Sequence, residues 1–254
     1  MSDDVVRTEL AEGVLTITMD RPEARNAINK AMRDGLWAAF ERVAEDDGVL
    51  VAILTGSGPV FSAGADLKEM AGRGTGVPGR GYLPHLGRNL HTDKTVIAAV
   101  NGPALAGGFM LAQMCDLCVA ADTASFGISE AKWSRGAPWA APLPWMIPPR
   151  VALELMVTAL PISAARAHEI GLVNRVVPAA DLLAEAAGLA RTIAENAPLS
   201  VRAAKRMVYD SAERGWLDGL AAADEIWRPV YESEDAQEGP RAFREKRTPV
   251  WKGR

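Results

Sequence analysis

Two glycine-containing turns in the sequence could place backbone N–H groups where they bind a negatively charged oxygen. In Val100–Asp116, an apolar strand and an Asn-Gly-Pro turn lead to Ala106-Gly107-Gly108, which opens a predicted helix. Adjacent glycines allow a close approach, and N–H groups in the first turn of a helix have no partner within it. This segment is predicted to form an anion site built from backbone.

The second turn lies upstream and has the same organisation. A predicted strand, Leu50–Thr55, is followed by a Gly-Ser-Gly-Pro turn and a return to helix at Asp66. Asp66 and Glu69 have the spacing of a capping box, which places the N–H of Ala65 just outside the helix. The two turns could therefore direct two backbone N–H groups at one carbonyl oxygen.

Five segments of the chain resemble the crotonase (enoyl-CoA hydratase/isomerase) superfamily. They are RPEARNAIN at Arg21–Asn29, FSAGADLKEM at Phe61–Met70, NGPALAGGFMLAQMCD at Asn101–Asp116, ASFGISE at Ala124–Glu130 and AHEIGLVNRVVP at Ala167–Pro178. Their order and spacing match the family over nearly the whole chain. The resemblance implies an α/β fold, a spiral of repeated ββα turns with a C-terminal all-helical segment.

The resemblance also implies a domain organisation and an assembly. Residues 1–197 would form the spiral core with a CoA-thioester site, and residues 198–254 a helical region that covers the site and builds a trimer. In the family two trimers can form a hexamer, so we expect a homo-oligomer.

In crotonase enzymes the thioester carbonyl oxygen accepts two backbone N–H groups, which match Ala65 and Gly107 here. These donors would stabilise the enolate-like charge that develops when a proton leaves or joins C2. The residues implied in coenzyme A binding are Ala24, Arg25, Ala63, Leu67 and Lys68. Arg25 or Lys68 could meet a phosphate, and either could equally be a solvated surface cation.

The family's hydratases use two glutamates, and only the second has a counterpart here. The second matches Glu130, whereas the first falls on Met110, which can neither accept nor donate a proton. Hydration needs a water activated at C3 and a proton at C2, and loss of one acid/base group typically removes a factor of about 10²–10⁴ in rate. Moving a double bond between C3–C4 and C2–C3 needs one base, and such isomerases of the family keep the second glutamate alone. The resemblance therefore favours isomerisation, with hydration of 2-enoyl-CoA by a modified site as the alternative.

Glu130 is expected to work with a raised pKa in an apolar pocket. Phe109, Met110 and the nearby tryptophans could supply the desolvation, and Phe109 with Met110 could shape an acyl pocket for a bulkier chain. The alternative is that Glu130 only caps the helix after it. A further departure from the hydratases is Ala137–Trp145 (APWAAPLPW), where they often have a glycine-rich turn.

The hydrophobic pattern alternates strands with helices. Val5–Leu10 and Val14–Met19 are predicted as antiparallel strands, and Asn29 as the cap of the next helix. The apolar face of that helix is predicted to consist of Met32, Leu36, Trp37, Phe40 and Val43. The glycine-rich Gly72–Gly81 is interpreted as a flexible cover near the acyl site or as a disordered surface loop. Past Pro198 the chain is predicted to be all helical.

The composition indicates a globular chain without bulk affinity for nucleic acid or anionic membranes. The 254 residues are 48% hydrophobic, the net charge is −4, and the basic residues are scattered among acidic ones. The N-terminal residues are acidic and polar, and no apolar run approaches the roughly 20 residues of a membrane span. We therefore expect a cytoplasmic protein that binds a small-molecule acyl-CoA, with no nucleic-acid or membrane partner.

Metal and redox sites are not indicated. His85, His91 and His168 are too scattered for a metal cluster. Cys115 and Cys118 form a C-x-x-C, but one is predicted to end a helix and the other to lie in a strand, so their side chains have no reason to converge. No separate cofactor is expected, because coenzyme A is part of the substrate.

Two functions of other classes stay open. A non-catalytic acyl-CoA binding or scaffolding protein would explain the missing glutamate as loss of chemistry. RNA binding, known in one branch of the family, would rest on Arg202, Lys205 and Arg206. Those three are better interpreted as the solvated face of a helix, and the acidic balance counts against RNA.

Overall fold

The computed structural model of the chain describes residues 5–73 and 79–254. Half of the predicted cover Gly72–Gly81, residues 74–78, lies outside these residues. The strands are β1 (Val6–Ala11), β2 (Val14–Met19), β3 (Val51–Gly56), β4 (Thr95–Val100), β5 (Ala104–Leu105), β6 (Leu117–Ala121), β7 (Ser125–Gly127), β8 (Ile162–Ser163) and β9 (Arg175–Val177). The α-helices are α1 (Lys30–Glu45), α2 (Leu67–Arg73), α3 (Gly107–Gln113), α4 (Leu143–Met146), α5 (Pro149–Thr158), α6 (Ala164–Glu169), α7 (Leu182–Ala194), α8 (Pro198–Ala212), α9 (Trp216–Glu232) and α10 (Asp235–Glu245).

Six strands form one sheet in the order β1-β2-β3-β4-β6-β9. β1 and β2 are antiparallel, as predicted, and the later neighbours are parallel. β3 and β4 are buried at every position, which is typical of parallel strands covered on both faces. Helix α7 packs against β2, β3, β4 and β6 and covers part of this sheet.

Helix α1 begins where the sequence predicts. The Asn29 side chain accepts a hydrogen bond from the N–H of Met32 (2.9 Å) and so caps the helix. Four of the five residues predicted on its apolar face are fully buried: Met32, Leu36, Phe40 and Val43. The fifth, Trp37, is half-buried, and its indole N–H donates to the carbonyl of Gly81 (3.1 Å).

Short extended runs form a second layer beside the large sheet. Ile28 bridges Ala65 and Ser62 bridges Ala104, while β5 pairs with β7 and β7 with β8. Each turn of the chain therefore adds one strand to the large sheet and one short run to the second layer before its helix. This arrangement confirms the predicted spiral and places successive strand-to-helix turns side by side.

The chain after Pro198 is helical in α8, α9 and α10, as predicted. Helix α8 is tied to the core by Asp116, whose carboxylate accepts hydrogen bonds from Lys205 Nζ and from the Tyr209 hydroxyl, both at 2.8 Å. Lys205 Nζ also donates to the carbonyl of Lys94 (2.7 Å). Lys205 therefore faces the core rather than solvent. Among the described residues, none of the helices is both long and apolar enough to cross a membrane.

Candidate active site

The RPEARNAIN segment builds the loop that supports Ala65. Asn26 is fully buried and accepts a hydrogen bond from the N–H of Arg21 through Oδ1 (2.9 Å). Its Nδ2 donates to the carbonyls of Ser57 (2.9 Å) and Val60 (2.8 Å). One amide side chain thus joins the N-terminal loop to the turn after β3.

Asp66 caps helix α2 and is held by the same loop. Its Oδ1 accepts hydrogen bonds from the N–H groups of Lys68 and Glu69, and its Oδ2 accepts one from Arg21 Nη1 (2.6 Å). The hydrogen bond from Arg21 is the main reason that the pKa of Asp66 is lowered, and the two amides add to it.

The reciprocal half of the predicted capping box does not form. The N–H of Asp66 donates to the carbonyl of Ile28, so it does not need the Glu69 side chain. That carboxylate turns to α1 instead, where it accepts hydrogen bonds from the N–H of Lys30 and from Arg33 Nη2, both at 2.7 Å.

The turns that hold Ala65 and Gly107 touch each other. A Cβ added to Gly64, whose φ is +85°, would lie 2.8 Å from Ala106 Cβ and 3.2 Å from the Gly107 nitrogen. A Cβ added to Gly108 would lie 2.4 Å from the carbonyl oxygen of Ser62. Only glycines allow the backbones to approach this closely.

The N–H groups of Ala65 and Gly107 are both left without an acceptor in the described part of the chain. The bridge between Ile28 and Ala65 uses the carbonyl of Gly64 and the N–H of Asp66, and not the N–H of Ala65. Gly107 is the first residue of α3, where N–H groups have no partner in the helix. Ala106 before it has φ 51° and ψ −121°, a strained conformation of the kind that clusters at functional sites. Both residues are partly exposed, so a ligand oxygen can reach this pair of donors.

Glu130 lies at the start of the 3-10 turn Glu130–Trp133, after β7. Its Oε1 accepts a hydrogen bond from the indole N–H of Trp139 (3.0 Å), whereas its Oε2 is buried and has no hydrogen-bond partner among the described residues. Burial raises the pKa of Glu130, as predicted, and the nearby backbone amides and the Trp139 indole offset part of this increase. The Glu130 carboxylate therefore contacts a residue outside its own 3-10 turn, so its role is not limited to capping that turn.

The apolar wall beside Glu130 includes residues of α3. Phe109 is buried and packs edge-to-face against Trp139 (centroids 5.8 Å apart) and Phe126 (5.6 Å). Met110 is also buried, at 7% exposure. Phe109 therefore belongs to the core behind Trp139. If it shapes an acyl pocket, as predicted, it does so by positioning the Trp139 ring.

The residues predicted to bind coenzyme A lie in two segments that contact each other. The carbonyl of Arg25 accepts a hydrogen bond from the N–H of Ala63 (3.0 Å), which joins the two segments. Leu67 and Lys68 are the first residues of α2 and, like Arg25, are exposed, whereas Ala24 and Ala63 are half-buried.

Sequence reasoning missed three residues that shape this site: Arg21, Asn26 and Gln113. All three lie inside segments that carry the family resemblance, so their type and position were available as a signal. Trp139 was included only among the tryptophans expected near Glu130. Its hydrogen bond to the Glu130 carboxylate could not be predicted, because it joins segments whose relative placement depends on the folded chain.

Other chemistry finds little support in the described residues. No group of three or more histidine, cysteine or acidic side chains there could hold a metal ion. Cys115 and Cys118 are buried free thiols in separate places, as predicted, and burial raises the pKa of Cys118 to about 12. A thiol with such a pKa is a poor nucleophile near neutral pH.

Comparison with known proteins gives consistent similarities. The family model described as enoyl-CoA hydratase/isomerase matches residues 9–254. The chain is 39% identical over 249 residues to enoyl-CoA hydratase EchA19 of Mycobacterium tuberculosis, which covers 94% of this chain and 93% of that protein. It is 40% identical over 250 residues to carnitinyl-CoA dehydratase of Salmonella typhi, with 95% of both chains covered. A crystal structure of enoyl-CoA hydratase from Mycobacterium tuberculosis H37Rv superposes with a TM-score of 0.91 at 41% identity, covering 99% of this chain and 100% of that one.

Proposed function

Because the chain belongs to the enoyl-CoA hydratase/isomerase family, whose enzymes act on CoA thioesters, we propose that it moves the double bond of an enoyl-CoA between C3–C4 and C2–C3. The observation that carries this proposal is the presence of one candidate acid/base group, Glu130, without a second one at Met110. Glu130 is half-buried and has one oxygen without a hydrogen-bond partner among the described residues, and Met110 stands at the position that matches the first glutamate of the family's hydratases.

In the proposed reaction the Glu130 carboxylate takes a proton from C2 of a 3-enoyl-CoA. The electron pair of the broken C–H bond moves toward the thioester carbonyl, whose oxygen accepts hydrogen bonds from the N–H groups of Ala65 and Gly107. When this enolate collapses, the carbonyl re-forms and the C2=C3 bond forms, while the C3=C4 π bond breaks and its electrons take the proton back from Glu130 at C4. One oxyanion donor typically contributes a factor of about 10²–10³ in rate.

The electrostatics of Glu130 suit both halves of this reaction. Burial raises the pKa of Glu130, so its carboxylate is a stronger base than an exposed one, and its acid form returns the proton that it has taken. The two amides contribute fixed dipoles that need no reorganisation as charge develops.

Hydration of a 2-enoyl-CoA is the second candidate, and the relatives favour it. EchA19 is named an enoyl-CoA hydratase and the Salmonella protein a carnitinyl-CoA dehydratase. In this chain Glu130 alone would have to activate the water and supply the proton. Isomerisation needs only the acid/base group that is present, and we rank it first for that reason.

The proposal is tested by the rate at which a 3-enoyl-CoA becomes the conjugated 2-enoyl-CoA. Glu130→Gln should lower kcat by about 10²–10⁴ while calorimetry shows unchanged binding of a CoA thioester. Glu154→Gln, an exposed change on α5, is the matched control and should leave kcat unchanged. Wild-type activity equal to that of Glu130→Gln would overturn the role of Glu130. Tight binding without turnover by the wild type would instead favour a scaffolding protein.

Several further features belong to the same proposal. We assign coenzyme A to the surface formed by the loops of Arg25 and Ala63, and we propose a cytoplasmic homo-oligomer that needs no resident cofactor. Arg25 and Lys68 would face the phosphates, since both are exposed cations on that surface.

A further inference from the structure

We propose that Trp139 is a positioning residue for Glu130: its indole N–H holds Oε1 and so fixes the orientation of the carboxylate that exchanges protons with the substrate. This inference rests on the proposed acid/base function of Glu130. It adds a residue that the resemblance did not assign, in the segment where this chain departs from the glycine-rich turn of many hydratases.

The two carboxylate oxygens of Glu130 are in different environments. Oε1 lies 3.0 Å from Trp139 Nε1, and Oε2 is buried without a hydrogen-bond partner among the described residues. No charged side chain of the described residues is among the influences on the pKa of Glu130. The indole N–H is therefore the one side-chain donor there that distinguishes the two oxygens.

Trp139 is itself held in place at both its ring and its backbone. Its ring packs against Phe109 with an interplanar angle of 74°, and the residue is 8% exposed. Its carbonyl accepts a hydrogen bond from Gln113 Nε2 (3.1 Å), and Gln113 is buried on α3. Pro138 precedes it at the start of a 3-10 turn, where its fixed φ limits the backbone. Trp139 can therefore act as a rigid support that connects α3 to Glu130.

A hydrogen bond to one oxygen has two consequences for a carboxylate. It restricts rotation of the carboxyl group, so the carboxylate keeps one orientation. It also favours the charged form, and its loss raises the pKa. A tryptophan that only packed beside the carboxylate would restrict its rotation weakly and would not stabilise its charged form.

Trp139→Phe removes the donor and keeps an aromatic ring against Phe109. We expect kcat for 3-enoyl-CoA to fall about tenfold with KM within about twofold, because a hydrogen bond to a charged group is lost in the reacting complex. The acidic limb of the kcat–pH profile should move to higher pH. Trp145→Phe is the control, since Trp145 is 81% exposed and its indole N–H donates no hydrogen bond in the described part of the chain.

A second measurement does not need turnover. Carbon-13 NMR of the Glu130 carboxyl carbon, assigned by its loss in Glu130→Gln, should titrate at higher pH in Trp139→Phe than in wild type. If that titration and the kcat–pH profile both stay unchanged, Trp139 is a packing residue and the proposal is wrong. If the titration shifts while the wild type isomerises no enoyl-CoA, the positioning contact stands and the proposed function falls.

Discussion

At the scale of the residue, the type of reaction that the candidate site can catalyse depends on which of its oxygen and nitrogen atoms have no hydrogen-bond partner. Glu130 keeps one oxygen free in a buried site, and Ala65 and Gly107 keep their N–H groups free within the described structure. Met110 contributes bulk and no proton. These atoms support a stabilised enolate and one proton-transfer group, which is the requirement for moving a double bond.

Gly64 offers a test of how closely the two donor turns must approach. In Gly64→Ala the new methyl would combine a φ of +85° with a 2.8 Å contact to Ala106, so it should push the turns apart. We expect kcat/KM to fall about 10²-fold, because small misplacements of reacting groups are costly. The measurement is steady-state kinetics beside thermal unfolding.

The matched control is Gly171→Ala, which has a φ of +82° and open space around its Cβ. Backbone strain alone typically costs about 1–3 kcal/mol of stability, and the control should lose that much while keeping its activity. Equal kinetic losses in both variants would contradict the need for close contact between the turns.

Much of the candidate site could be predicted from the types of residue in the sequence. The glycines, Glu130 and the departure at Met110 were all readable, because backbone chemistry and proton transfer depend on residue identity. The contact between Glu130 and Trp139 was not, since nothing in the spacing of nine residues fixes which atoms meet after two 3-10 turns.

At the scale of the element, the site depends on short bridges in the second layer. The bridge of Ser62 to Ala104 places the turn before α2 against the segment before α3. These turns are about 40 residues apart in the chain, so only the spiral makes them neighbours. The bridge of Ile28 to Ala65 and the ion pair of Arg21 with Asp66 form a second junction, which joins the N-terminal loop to the turn before α2.

Asp66→Asn tests the ion pair with Arg21 while it keeps a helix-capping residue. Because the folded state lowers the pKa of Asp66, the pair contributes stability above the ordinary pKa of about 3.9 and loses it as pH falls below that value. At pH 7 the variant should lose about 1–3 kcal/mol of unfolding free energy, and the difference should shrink toward pH 3. Urea unfolding at several pH values measures this.

Asp34→Asn is the control for that experiment, because Asp34 pairs with Lys30 on an exposed face of α1. Surface ion pairs contribute about 0–1 kcal/mol, so this variant should remain near wild type. A pH-independent loss in Asp66→Asn would show that the charge of Asp66 is not what stabilises the junction.

The positions of helix α1 and of the β1–β2 hairpin were predicted from the period of the hydrophobic residues and, for α1, from the capping residue Asn29. The two-residue strand β5 was missed, because so short a run has no period to detect. The partner of Glu69 was missed because a capping box predicts a local contact, and α1 competes for the same carboxylate.

At the scale of the whole molecule, the C-terminal helices leave apolar surface uncovered. Trp216, Leu217, Tyr231 and Phe243 are each more than three quarters exposed. Large apolar side chains in this number are typical of an association surface. We therefore predict that native mass spectrometry finds three or six copies of the chain, and a single-chain mass would contradict the homo-oligomer.

The division into residues 1–197 and 198–254 stays a prediction. The sequence showed the change to all-helical structure at Pro198, because the strand pattern stops there. It could not show that Lys205 and Tyr209 tie α8 back to Asp116, since ion pairs between distant segments leave no periodic signal.

The central claim, one-carboxylate isomerisation, is tested most directly by proton NMR of product formation in deuterated water. Wild-type protein would be given a short 3-enoyl-CoA and, separately, a 2-enoyl-CoA, with Glu130→Gln beside it. The account predicts conversion of the 3-enoyl to the 2-enoyl ester without a 3-hydroxyacyl product, and no conversion by the variant. Rapid accumulation of 3-hydroxyacyl-CoA by the wild type would show that water is activated without a carboxylate at position 110, and it would contradict the account.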